Sequence, residues 1–118
     1  MKKFLYFADG NGANATGESV SVLADNIKTI VPVTTTTTAM YYSDANGVVD
    51  KIVFTHDNKT TTTGHRVRDI AKAIAEAANA TAHVNGMTDV VDFDNNIFYG
   101  NLNFITALAI TLGASIDF

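Results

Sequence analysis

The chain has 118 residues, 47% of them hydrophobic and 17% charged, with no cysteine and a net charge of −4. That length fits one domain, residues 1–118, and the apolar fraction supports a core without disulfide or thiolate-metal staples. The acidic balance, with a pI near 5.1, excludes a general nucleic-acid binder, which needs a basic stripe to displace counterions.

Phe4 to Ala8 reads as a short strand, followed by turn-forming Asp9-Gly10-Asn11-Gly12-Ala13-Asn14, with Gly17 closing the loop. Ser19 to Val22 begins a second strand, in which alternation puts Val20 and Val22 on one face, and Asp25-Asn26 marks a break. Ile27 to Val33 is β-branched and extended. Pro32 cannot donate to a central ladder, so it points to an edge strand or a strand start. Thr34 to Tyr42 is expected to continue as strand. Asp44-Ala45-Asn46-Gly47 then turns the chain into Val48 to Thr55, because Asn-Gly supplies the left-handed geometry of a tight hairpin. In this second arm Val49, Lys51, Val53 and Thr55 face one way. Val48, Asp50, Ile52 and Phe54 face the other, which is expected to be the core side.

Asp57 to Gly64 reads as a polar loop. A helix is expected from about His65 to Asn79, where Val67, Ile70, Ala71, Ile74, Ala75 and Ala78 recur at helical spacing. Thr63 would cap its start and Asn79 would stop it. Beyond a loop at Asn85-Gly86, Asp89 to Asp94 reads as strand, Asn95-Asn96 as turn and Ile97-Phe98-Tyr99 as a short strand. Asn103 to Leu112 closes the chain as a strand apolar on both faces, which predicts a central or doubly covered position. The fold expected from these elements is α+β, a mainly antiparallel sheet of about six strands with one amphipathic helix packed on it.

Chemical motifs are few. Asp9, Asn11 and Ala13 occupy alternate positions of a calcium-type loop, but Ala13 is not an oxygen ligand and Val20 stands where the bidentate glutamate belongs. Asp92, Asp94 and Asn96 offer three alternating oxygen donors, which a turn between strands explains equally. Gly10 and Gly12 lack the Gly-Lys-Ser/Thr of a phosphate loop. Ser43, His56 and Asp57 can be drawn as a triad, with no nucleophile elbow to support it. His56 and His65 read as surface residues. Lys59, His65, Arg66, Arg68 and Lys72 read as the solvated start of the helix, or as a phosphate contact there. No enzyme activity, cofactor or metal is expected.

The surface carries less charge than the ~25% usual for soluble domains. Either Thr- and Asn-rich faces meet water, or partner subunits cover part of it. Tyr41 and Tyr42 are adjacent on a strand, so one must point away from the core and could anchor an interface. Ile116 and Phe118 form an apolar tail expected to dock in this chain or a neighbour. No apolar stretch reaches membrane-spanning length. Asp9 cuts the first apolar run short of a signal-peptide core, so synthesis in cytoplasm is expected.

The opening Phe4-Leu5-Tyr6-Phe7-Ala8-Asp9-Gly10-Asn11-Gly12-Ala13-Asn14-Ala15-Thr16-Gly17-Glu18 resembles the start of small virion structural proteins of tailed, often marine, bacteriophages. The Thr-rich hairpin and the helical Asp69-Ile70-Ala71-Lys72-Ala73-Ile74-Ala75-Glu76-Ala77 are similar in character. The resemblance carries no catalytic signature. It implies a non-enzymatic shell component such as a capsid decoration protein, resident in the virion after synthesis in host cytoplasm. Its implied partners are further copies of itself and other virion proteins such as a major capsid protein, with no nucleic acid or membrane. The alternative is a small phage-encoded module that binds a divalent cation or a host protein.

Overall fold

The computed structural model describes residues 4–10, 19–43, 48–57, 60–61, 64–79, 87–100 and 102–111, and ten strands lie among the described residues. In chain order these are β1 (Phe4–Ala8), β2 (Ser19–Leu23), β3 (Ile27–Thr34), β4 (Thr37–Ser43), β5 (Val49–Thr55), β6 (Thr60–Thr61) and β7 (Gly64–His65). After the helix α1 (Arg66–Asn79) come β8 (Met87–Asp92), β9 (Ile97–Phe98) and β10 (Ala107–Thr111). Single 3₁₀ turns cover Ala24–Asn26 and Leu102–Phe104.

The protein is α+β and mainly antiparallel, but the strands divide into two sheets where one was expected. The first runs β2-β1-β8-β9 and the second β10-β5-β4-β3, each four-stranded among the described residues, and β6 pairs with β7. Within the first sheet β1 and β8 are parallel. A parallel neighbour needs a long crossover; here it comprises β2 to β7 and the helix, a separation that no local pattern reveals.

The two sheets share one core. Leu5 and Phe7 of β1 are fully buried, as are Met40 of β4 and Ile52 and Phe54 of β5. The Phe7 and Phe54 rings meet across the sheets, with centroids 5.8 Å apart and planes tilted by 53°. On β5 the expected alternation holds, with Asp50, Ile52 and Phe54 buried and Val49, Lys51, Val53 and Thr55 half-buried. Val48, assigned to the core side, is exposed. β8 breaks alternation. Its register against β1 slips between Tyr6 and Phe7, so Val90 bulges out of that pairing and both Val90 and Val91 are buried.

α1 begins within a residue of the expected start and closes the core by touching β1, β3, β8 and the Leu102 turn. Its buried stripe is Ile70, Ala73, Ile74 and Ala77. Ala75 is exposed and Ala71 and Ala78 half-buried, so the inward face is rotated from the expected one. Small Ala73 and Ala77 let the helix lie close. At the C-terminal end the Asn79 side-chain amide donates to the Ala75 carbonyl at 2.9 Å, satisfying one end carbonyl. The expected cap Thr63, and the hairpin turn at Asn46-Gly47, lie outside the described residues.

The threonine run does not continue as strand. It folds back at Thr35-Thr36, making β3 and β4 a hairpin. Thr34 Oγ1 accepts the Thr36 N–H at 3.2 Å and bonds Thr37 Oγ1 at 2.7 Å, a hydroxyl-braced turn. Pro32 sits on β3, which is an edge strand as its missing donor requires. The final strand differs more. Residues 102–104 form a turn, β10 is limited to Ala107–Thr111, and it lies at the sheet edge with Ala107, Ala109 and Thr111 exposed. Small residues on one side had read as a second buried face; here they are an open one.

Gly10 has φ 92°, and a Cβ there would sit 2.9 Å from Phe93 Cβ. Gly100 has φ 58° but nothing within 4 Å of a Cβ. Gly10→Ala is therefore expected to cost more than ~1 kcal/mol and Gly100→Ala less, read from urea midpoints. Phe54→Ala, which removes one ring of the intersheet pair, is expected to cost about 3–5 kcal/mol in the same assay.

Candidate interaction surface

Paired residues in neighbouring strands share a face, so register defines the outer face of the second sheet. One row crosses all four strands as Val31, Ala39, Val53 and Ala109. The next is Thr29, Tyr41, Lys51 and Thr111, and a third joins Thr37, Thr55 and Ala107. Lys51 is the one charge in these rows. The face is otherwise apolar or hydroxyl-bearing, which lowers the desolvation cost of covering it with protein.

Tyr41 and Tyr42 lie on opposite faces, as adjacent strand residues must. Tyr42 belongs to the core cluster, whereas Tyr41 lies in the outer row beside Lys51. Neither ring stands open to water, Tyr41 being 6% exposed and Tyr42 3%. β4 is an interior strand, so neighbours crowd Tyr41 on both sides. Ile116 and Phe118 lie outside the described residues.

One end of this sheet is tied to the helix by a polar cluster. His56, expected at the surface, is buried. Its Nδ1 lies 2.7 Å from the Asp57 carbonyl, which can only accept, so Nδ1 carries the proton. Nε2 then accepts from the fully buried Thr38 hydroxyl at 2.8 Å. Phe104 stands edge-on to the imidazole, and the Arg66 guanidinium lies 4.1 Å from the centre of the same ring. Arg66 donates to both Asp57 carboxylate oxygens, at 2.9 and 3.4 Å, and reaches Asp69 at 3.6 Å. The bond to Asp57 holds the guanidinium above its ordinary range. Because Asp57 is 54% exposed, solvent screens this pair, and its main effect is to position the helix start.

Both imidazole nitrogens are therefore engaged in bracing. The triad drawn from Ser43, His56 and Asp57 is not assembled. Ser43 lies beyond Thr38 at the other end of β4, about 17 Å away at ~3.4 Å per residue, and the Asp57 carboxylate faces Arg66. At the β8–β9 turn, Asp92 accepts the Asn95 N–H at 3.2 Å through one oxygen and the Asn95 side-chain amide at 2.8 Å through the other. Asn96 completes the turn with φ 56°. Among the described residues no three histidine or carboxylate side chains converge on a metal position. Of the basic cluster, Arg66 is held by its acids, while Arg68 and Lys72 are exposed.

Thr38→Val keeps the shape of the side chain but leaves His56 Nε2 buried without its donor. A loss of about 1–3 kcal/mol is expected in chemical denaturation. Compared with known proteins, the chain matches no family model, no curated protein and no solved structure.

Proposed function

We propose that this protein is a structural subunit of an assembly, and specifically a shell component of a tailed-phage virion such as a capsid decoration protein. The observation that carries the reading is the outer face of the second sheet, where Lys51 is the one charge among eleven register-matched positions. Subunits that meet through such a face lose little charge solvation on contact. The exposed Val33 at the β3–β4 hairpin and the uncharged β10 edge extend the same character. The sequence resemblance to small phage virion proteins supports the particle as the place of assembly.

The role proposed is mechanical: the chain adds protein–protein contacts to a lattice. Purified particles of the phage that encodes the chain are expected to contain it at a fixed ratio to the major shell protein, measured by quantitative mass spectrometry. Recovery from infected-cell lysate with none in washed particles would overturn the virion reading and favour a host-binding module.

A further inference from the structure

The four outer edges of the two sheets are unequally guarded. β3 carries exposed Lys28 and Pro32, both of which discourage strand addition. β9 is only two residues long. β2 shows only Ser21 fully to solvent. β10, Ala107-Leu108-Ala109-Ile110-Thr111, has no charge and no proline, exposes three of its five residues, and among the described residues pairs with β5 alone. An edge strand directs alternate N–H and C=O groups away from its own sheet, where they can bond another strand.

We propose that β10 pairs antiparallel with β10 of a second copy, about a two-fold axis at Ala109, joining two second sheets into one. This rests on the reading of the chain as a self-associating subunit and names the contact. The register follows from face matching. Outer residues must oppose outer residues, or every side chain changes face. Among such registers, the one centred on Ala109 uses all five residues. Ala107 then opposes Thr111 of the second copy, and Leu108 opposes its Ile110.

Ile110 favours this occupant. It packs on the core cluster yet is only half-buried at the sheet rim, and Leu108 of the second copy would extend the core face over it. Charge also favours it. Neither β10 nor the row Val31, Ala39, Val53 and Ala109 brings a charge to the axis, so no like charges oppose. Pairing β10 with β3 of another copy would set Pro32 and Lys28 against the ladder and would propagate without closing. The two-fold arrangement closes. A five-residue pair buries less than the ~1,200 Å² of a standard stable interface, so the dimer should form progressively with concentration.

The chain has no cysteine, so Ala109→Cys introduces a single thiol. In the proposed register its copy lies across the axis at a Cα separation of roughly 4.5–5.5 Å, within disulfide reach. The Ala107→Cys thiol lies about 14 Å from its copy, four residues along at ~3.4 Å each, and cannot bridge. Mild oxidation is expected to give covalent dimer from A109C and at least about tenfold less from A107C. Light scattering is expected to show wild-type dimer growing with concentration, and A109K shifted to monomer with an unchanged circular dichroism spectrum. Equal cross-linking of the two thiols, no cross-linking of A109C, an undiminished A109K dimer, or a wild-type chain that stays monomeric at millimolar concentration each overturns the pairing. A chain found in particles whose A109C does not cross-link loses the pairing and keeps the shell role. One that cross-links but is missing from particles loses the shell role and keeps the pairing.

Discussion

The contact between the Phe7 and Phe54 rings is the joint on which the two sheets depend. A four-stranded sheet with one apolar face is stable only when that face is covered. Each sheet covers the other here, and α1 closes the remaining side through Ile70, Ala73, Ile74 and Ala77. The chain visits the first sheet, builds the β3-β4-β5 meander of the second, and returns by way of the helix to lay β8 parallel to β1. The bulge at Val90 is part of the same requirement, since it lets two successive valines reach the core.

Covering the inner faces leaves the outer face of the second sheet half-buried over most of its rows, buried at Ala39 and Tyr41 and exposed along β10. Its register-matched rows hold one charge, Lys51; most other charged side chains among the described residues lie on the helix, on β8 and at the β8–β9 turn, with Lys28 on the β3 edge and Asp50 on the inner side of β5. The proposed assembly role follows from that segregation. This face is rich in Val, Ala and Thr. It is well suited to packing, because its side chains are short and lose little conformational freedom when covered.

The polar cluster around His56 serves the fold in a different way. It connects the end of β5 to the start of α1 through Thr38, Asp57 and Arg66, with the Phe104 ring contacting both the His56 imidazole and the Arg66 guanidinium. Every hydrogen-bonding nitrogen of the imidazole is paired, as burial demands. A histidine at the end of a strand gives no hint of this in sequence. Its partner lies eighteen residues earlier, and the two meet only because β4 and β5 are paired in one register.

Local pattern alone determined much of the chain. The β4–β5 hairpin, the inward set of β5, the helix boundaries, the edge placement of Pro32 and the Asn95-Asn96 turn were legible, because each follows from spacing, turn chemistry or a missing donor within a few residues. Tertiary structure decided the rest. It split the strands into two sheets, made β1 and β8 parallel, rotated the helix stripe toward Ala73 and Ala77, and folded the threonine run back on itself. It also moved β10 from an expected centre to an edge and covered Tyr41. These outcomes depend on which distant strand lies alongside. A run such as Ala-Leu-Ala-Ile-Thr reads the same whether its small side faces protein or water, so only the neighbours of the folded chain can say which.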